Sequence, residues 1–271
     1  MNSAVAPPLV GGVGEGLQRV LDSSIMNDWR LLDSGANPAT KNMAIDEDLL
    51  ALAQAGETTP VLRFYAWDPP AVSLGRFQKT GTAVDAEACK RLGFDVVHRI
   101  TGGRAVLHRR ELTYSIVSRI DNPRFPPDIL GTYKVVAAGL LAGLRNLGIN
   151  AEMVSRGGSH ASLVNKADKD PSCFSSPSWY EIVVNGKKLV GSAQRRLSNA
   201  FLQHGSILIG YDPALEAEVI PGSAGGGVTC IERELGRTVS YEEVKQAFCV
   251  GFCEALGMGP ARPVKPESLA P

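Results

Sequence analysis

A chain of 271 residues has room for one large domain or two small ones. Its 28 Lys and Arg are cancelled by 28 Asp and Glu, so it lacks the strongly basic balance of a general nucleic-acid binder, and an acidic partner has to be met by a local patch. At 44% hydrophobic and 21% charged it has an ordinary soluble composition, and its longest apolar run, Val135 to Leu144, is far too short to cross a bilayer.

The first residues carry Pro7, Pro8 and scattered glycines where a leader needs a basic region followed by an apolar core, so a cytoplasmic protein is expected. Residues 1–27 read as a flexible extension, 28–257 as one domain, and 258–271 as a disordered tail. Within the domain, Trp29 to Asp33 reads as a strand that Asn37-Pro38 breaks. Thr40 then caps a helix running to Ala55, with an apolar face of Met43, Ile45, Leu49, Leu50 and Leu52 and a stop at Gly56.

Val61 to Trp67 and Ala71 to Leu74 are strands around the Pro69-Pro70 turn. A helix over Asp85 to Leu92 follows, then a strand over Phe94 to Arg99. That strand delivers the chain into Thr101-Gly102-Gly103-Arg104, beyond which Ala105 to His108 and Leu112 to Val117 form a further strand pair. Ile129 to Leu147 is the strongest helix, with Leu130, Tyr133, Val136, Ala137, Leu140, Leu141 and Leu144 on one face and Gly148 at its end.

After a short strand at Ala151 to Val154, the polar interval from Ser155 to Ser172 is too long for a compact connection and reads as disordered or as a substrate-dependent loop. Tyr180 to Val184, Asn185-Gly186 and Lys187 to Val190 then form a hairpin. A two-residue loop sets Val184 against Lys187, Val183 against Lys188 and Glu181 against Val190, which turns the two lysines to opposite faces. Phe201 to Ile209 is a last core strand and Asp212-Pro213 starts a short helix. Gly222 to Gly227 reads as flexible, and Ser240 with Glu243 forms a capping box for a helix over Tyr241 to Leu256. The pattern is α+β, one domain with a mixed, largely antiparallel sheet and flanking helices.

Chemistry concentrates near the hairpin. The five cysteines, Cys89, Cys173, Cys230, Cys249 and Cys253, have no CxxC pairing and suit a reducing compartment. Cys249 and Cys253 stand four apart on a helix without a histidine cluster, so helix packing is expected and no metal is assigned. Cys173 sits on a loop of Ser, Pro and Asp before the hairpin, where a cationic neighbour favours the nucleophilic thiolate. Its position alone favours an ordinary loop cysteine, as a strand lysine at 188 favours simple pairing with Glu181. Gly102-Gly103 lacks GxGxxG and P-loop spacing and reads first as a turn; His108 at a strand end reads first as structural.

Four ordered segments go further: LRFYAWDPPAVSLGRFQ from Leu62, RITGGRAVLHRRELTYSIV from Arg99, GKKLVGSAQ from Gly186 and LQHGSILI from Leu202. Over residues 29 to 256 the chain resembles the lipoate-protein ligase, octanoyltransferase and biotin-protein ligase family. The resemblance implies a biotin/lipoate-protein ligase-like fold of the class II synthetase type. It implies an acyl pocket bordered by Arg99, Gly102, Gly103, Arg104, His108, Gly191, Ser192, Ala193 and His204, with Lys188 at the reaction centre.

The chain is most similar to the octanoyltransferases of that family, which carry a cysteine ahead of a PSWYE-like segment and fifteen residues before the lysine, the separation of Cys173 and Lys188. That likeness implies octanoyl transfer in lipoate biosynthesis without a cofactor. The donor it implies is octanoyl-acyl carrier protein. The acceptor it implies is a lysine of a lipoyl-domain protein such as glycine cleavage H protein or a 2-oxoacid dehydrogenase acyltransferase subunit. It implies Cys173 as the nucleophile and makes backbone amides near Gly102, Gly103 or the Cys173 loop candidates for stabilising the oxyanion. Arg104, Arg109, Arg110, Arg195 and Arg196 are the candidates for steering acidic partners. The alternatives are an ATP-dependent lipoate ligase, an amidotransferase between lipoyl-domain proteins, or a non-catalytic acyl- or carrier-binding protein. One departure stands out: Arg109 and Arg110 follow His108 where relatives often have an acidic residue.

Overall fold

A computed structural model of the protein describes residues 25–26, 29–154, 180–223 and 225–258. An eight-stranded sheet runs in the order β1 (Ile25–Met26), β2 (Trp29–Asn37), β3 (Val61–Trp67), β7 (Glu111–Arg119), β11 (Ala200–Leu208), β10 (Lys187–Arg196), β9 (Ile182–Val184) and β8 (Glu152–Met153). Only β2 and β3 pair in parallel; the other pairs are antiparallel, as a mixed, largely antiparallel sheet requires. A small second sheet orders β5 (Asp95–His98), β4 (Ala71–Leu74) and β6 (Val106–His108).

Strand alternation divides the large sheet into two unlike faces. Leu62, Phe64, Leu112, Tyr114, Ile116, Phe201 and Ile207 point to an apolar core covered by α4 (Ile129–Asn146) and α7 (Tyr241–Leu256). These helices approach closely because a Cβ on Gly139 or Gly143 would lie 2.3 Å and 2.5 Å from the rings of Phe252 and Phe248. The residues between, Arg63, Tyr65, Glu111, Thr113, Ser115, His204 and Ser206, are buried and polar. They face α1 (Ala39–Ala55) and the small sheet, through contacts described below. Where α1 crosses the end of the stripe, Ile45, Leu49, Leu50 and Ala53 meet Val61, Val117 and Leu202 in a second apolar cluster. The remaining helices, α2 (Thr80–Ala83), α3 (Ala86–Leu92), α5 (Pro213–Val219) and α6 (Ile231–Leu235), are short, and α2, α3 and α5 pack on the small sheet.

Several sequence expectations shift at their edges. β2 continues to Asn37, α1 starts at Ala39 with Pro38 rather than Thr40 at its cap, and Ile25–Met26, inside the expected extension, pair with Trp29 and Arg30. Met258, assigned to the tail, is buried and donates its N–H to the Cys253 carbonyl at 2.9 Å. Gly227, expected to be flexible, accepts the Lys188 N–H at 2.8 Å, and the Thr229 N–H bonds the Lys188 carbonyl at 2.9 Å. The hairpin pairs Val184 with Lys187 and Val183 with Lys188 as expected, but Val190 lies opposite Ile182 instead of Glu181.

That last correction decides a face. Leu189 and Val190 together oppose Ile182, and all three lie in the helix-side core: a β-bulge. Beyond it, Gly191 and Ala193 lie across from Ser206 and His204 on the polar side. Before it, Lys188 lies across from Val183, which alternation turns away from the helix-side Ile182 and Val184. The extra residue therefore places Lys188 on the same side of the sheet as Gly191 and Ala193; a regular strand would put it on the opposite side.

Candidate active site

The buried polar stripe is built around two carboxylates. Asp46, on the inner face of α1, accepts four hydrogen bonds: from Arg63 at 2.7 Å and Ser115 at 2.9 Å on Oδ1, and from Tyr65 at 3.0 Å and His204 Nδ1 at 3.0 Å on Oδ2. Burial raises the Asp46 pKa, but the Arg63 charge and the His204 hydrogen bond outweigh it and hold the carboxyl below its ordinary value. Arg63 is itself held by further bonds in this setting, donating to Ser34 and twice to Asn42 while its guanidinium lies 3.8 Å over the Tyr65 ring.

Because the Asp46 carboxylate only accepts, His204 Nδ1 carries the proton, and the neutral ring takes a hydrogen bond on Nε2 from Thr101 Oγ1 at 2.7 Å. Burial, offset only in part by Asp46, lowers the His204 pKa and favours that neutral form. The second carboxylate repeats the arrangement. Glu111 Oε1 lies 2.8 Å from His108 Nδ1, and His108 Nε2 lies 2.7 Å from Ser73 Oγ. Trp67 stacks on the His108 ring at 3.9 Å and donates to Thr113, which in turn donates to Glu111.

Both relays end on the loop between β5 and β6. Thr101 opens the Gly102-Gly103 turn. Arg99 donates to Ser73 Oγ at 3.0 Å and to the carbonyls of Ser73, Gly102 and Arg104 at 2.9, 2.9 and 2.7 Å. Gly103 adopts a φ of 96°, and the turn sits so close to Gly75 that a Cβ there would lie 2.0 Å from the Gly103 carbonyl. A glycine is therefore required at 75 as well as in the turn.

Between the stripe and the small sheet lies a cavity walled by Met43, Tyr65, Trp67 and Val106, with Arg99, His108, Gly191, Ser192, Ala193 and His204 also in its lining. Six of the expected acyl-pocket residues thus meet at one cavity. Gly102, Gly103 and Arg104 are not among its lining residues and connect to it through Arg99. Ser192 contributes backbone more than hydroxyl, since its Oγ lies 2.7 Å from Tyr114 Oη on the helix side. Burial of Tyr114 outweighs that bond and a second from Gln203, raising the phenol to about 12.

Lys188 is fully buried and ion-paired with Glu181, whereas Lys187 is exposed. Cys173 lies outside the described residues, as does the whole interval from Ser155 to Ser172. The departure after His108 resolves in space: Glu111, three residues on, supplies the acidic partner. The expected steering arginines are partly engaged elsewhere. Arg110 pairs with Glu232 at 2.6 Å, Arg109 with Asp212 at 3.9 Å, and Arg196 donates to the Pro127 carbonyl at 3.0 Å.

Sequence reasoning missed Asp46, Arg63, Tyr65, Ser73, Thr101, Glu111 and Thr113. A signal was present for two of them: Asp46 falls among Met43, Ile45, Leu49 and Leu50 on a face that should be apolar, and Arg63 falls inside a hydrophobic strand. The relays that join these groups span up to 158 residues of chain.

The sequence matches the lipoyl protein ligase A/B catalytic domain family over residues 38–253. It is 43% identical over 243 residues to an octanoyltransferase LipM of Kyrpidia tusciae, covering 86% of this chain and 88% of that one. It is 39% identical over 241 residues to an octanoyltransferase LipM of Geobacillus kaustophilus, covering 85% and 87%. Among solved structures it is similar to a putative lipoate protein ligase from T. acidophilum with bound lipoic acid, at a TM-score of 0.68 and 27% identity, over 85% of this chain and 86% of that one. With a family match over most of its length and 43% identity to an octanoyltransferase LipM, the chain is a member of the lipoyl protein ligase A/B catalytic domain family.

Proposed function

We propose that this protein is an octanoyltransferase of lipoate assembly, moving an octanoyl group from the thioester of acyl carrier protein to the ε-amine of a lysine on a lipoyl-domain protein. The observation that carries the reading is the 43% identity, across 86% of the chain, to a protein named as an octanoyltransferase. The cysteine fifteen residues ahead of Lys188 agrees with it.

Transfer proceeds in two displacements. The Cys173 thiolate adds to the carrier thioester carbonyl, the carrier departs as its thiolate and takes up the proton that Cys173 had released, and an octanoyl-Cys173 thioester remains. The neutral acceptor amine then adds to that carbonyl, Cys173 departs as thiolate, and the proton lost by nitrogen restores the thiol. In this reading Lys188 serves as the cation that stabilises thiolate and oxyanion. The acyl chain occupies the cavity against Met43, Tyr65, Trp67 and Val106, where each buried methylene contributes about 0.8 kcal/mol.

The test is the intact mass of the protein after incubation with octanoyl-acyl carrier protein in the absence of ATP. A gain of one octanoyl group, discharged on adding a lipoyl domain, is expected. Acylation of the lipoyl domain that demands free acid and ATP would reassign the protein as a lipoate ligase. Faster loading from an octanoylated lipoyl domain than from the carrier would make it an amidotransferase.

A further inference from the structure

The Lys188–Glu181 pair is an odd feature for a fold to keep. Both side chains are buried, at 0% and 4% exposure, at the strand pair that holds the hairpin. Two opposite charges withdrawn from water gain little net stability; an apolar pair of the same volume is often as good or better. The fold alone gives no reason for it.

The backbone around the pair is also held more firmly than a hairpin needs. Lys188 pairs with Val183 on one side. On its other edge, short of where β11 begins to pair with β10, the segment from Gly227 to Thr229 takes over, accepting the Lys188 N–H at 2.8 Å and donating to its carbonyl at 2.9 Å. The Glu181 backbone is fixed in turn by its carbonyl, which accepts the Val154 N–H at 2.9 Å. The bulge at Leu189 and Val190 sends the Lys188 side chain to the cavity side of the sheet, where it meets Glu181, although neither residue lines the cavity itself.

We propose that Glu181 is a positioning residue for acyl transfer: its carboxylate anchors Lys188 Nζ at the place on the cavity side to which the bulge delivers it. Glu181 is not among the residues that line the cavity. It acts through the lysine, by denying a four-carbon side chain the rotamers that would carry its charge away from the reacting carbonyl. The inference rests on Lys188 serving the transfer described above and adds to it a residue that holds the lysine in register.

A double-mutant cycle on the full chain tests this, with Glu181→Gln, Lys188→Ala and the double variant assayed for acyl transfer to a lipoyl domain. Glu181→Gln keeps the shape and an acceptor oxygen but removes the charge. It is expected to lower kcat by about tenfold to 100-fold, the range for displacing a catalytic group by an ångström or so, with KM for the lipoyl domain unchanged within about twofold. In the Lys188→Ala background the same change is expected to cost no further activity. Additive losses, or a wild-type kcat in Glu181→Gln, overturn the proposal. Glu181→Asp, which keeps the charge and withdraws it by one methylene, gives the same reading if the glutamine variant folds poorly: reduced kcat at unchanged KM supports the anchor, and wild-type kcat refutes it. The cycle is run in whichever acyl transfer the wild type performs. Absence of ATP-independent loading therefore sinks the octanoyl-transfer reading, while additivity sinks only the role of Glu181.

Discussion

His204 Nδ1 stands 3.0 Å from Asp46 Oδ2, and its other ring nitrogen stands 2.7 Å from the hydroxyl of Thr101, so one neutral imidazole ties the long helix to the Gly-Gly loop. Its pKa is lowered chiefly by burial. Below the ordinary histidine value of ~6.5 the unfolded chain takes up a proton that the native ring refuses, so this contribution is complete above about pH 6.5 and is lost as pH falls. Native stability should drop by up to about 1.4 kcal/mol per pH unit on acidification from roughly pH 6.5. Denaturant titrations at pH 7.5 and 5.5 should show that His204→Gln loses less stability on acidification than wild type, by at most about half a proton averaged over that interval. An unchanged loss would mean that the native ring protonates.

Asp46 governs a lower window. Its folded pKa is depressed, so its stabilisation is present above the unfolded value of about 3.9 and is lost as pH falls through the folded value. Removing its charge leaves Arg63 buried at 0% exposure without its counter-ion. Asp46→Ala should cost about 3 to 5 kcal/mol in urea unfolding. A loss below about 1 kcal/mol would show that the remaining Arg63 partners, Asn42 and Ser34, suffice.

Only one cysteine is expected to carry the acyl group. Cys89, Cys230, Cys249 and Cys253 are buried, and the Cys249 thiol is held strongly protonated by its hydrogen bond with Cys253 and by burial. Cys173→Ala should abolish both the octanoyl mass gain and transfer. Alanine at the other four positions should leave acylation intact wherever the variant folds. ATP-dependent transfer by Cys173→Ala would place the protein on the ligase branch.

The contribution of Lys188 can be split by pH. Lowering a thiol pKa from ~8.5 to ~6.5 raises the thiolate fraction at pH 7 by roughly 25-fold, and the lower basicity gives back about eightfold, a net gain near threefold. A loss much above tenfold in Lys188→Ala therefore requires a second role in the transfer step. Single-turnover acylation of the variant should recover near pH 9, while discharge of preformed acyl-enzyme to the lipoyl domain should stay slow. Acylation that is equally impaired at both pH values would eliminate the thiolate role.

The bulge makes a sharper demand. Exchanging the two residues, Lys188→Leu with Leu189→Lys, moves the ammonium by one position into the apolar core under α4 and α7. The exchanged protein should be inactive and less stable by several kcal/mol, because the buried charge loses Glu181. Full activity would show that the lysine reaches its target from either side of the strand.

Local pattern in the sequence was enough for most elements and for the hairpin. Asn185-Gly186 permits one tight turn, which fixed Val183 opposite Lys188, and the 3.6-residue spacing of Leu140, Leu144 and their neighbours specified the helix that covers the sheet. Four short motifs were enough to mark the family. Three things needed the tertiary structure. The pairing of Val190 with Ile182 was invisible because a bulge leaves no mark in residue type when both bulged residues are apolar, as Leu189 and Val190 are. The service of Glu111 to His108 was invisible because two arginines intervene in sequence and only the turn brings the carboxylate back. The Asp46 hub was invisible because its partners come from β3, β7 and β11. A buried carboxylate is held by whatever donors converge on it in space, and sequence order does not record that convergence.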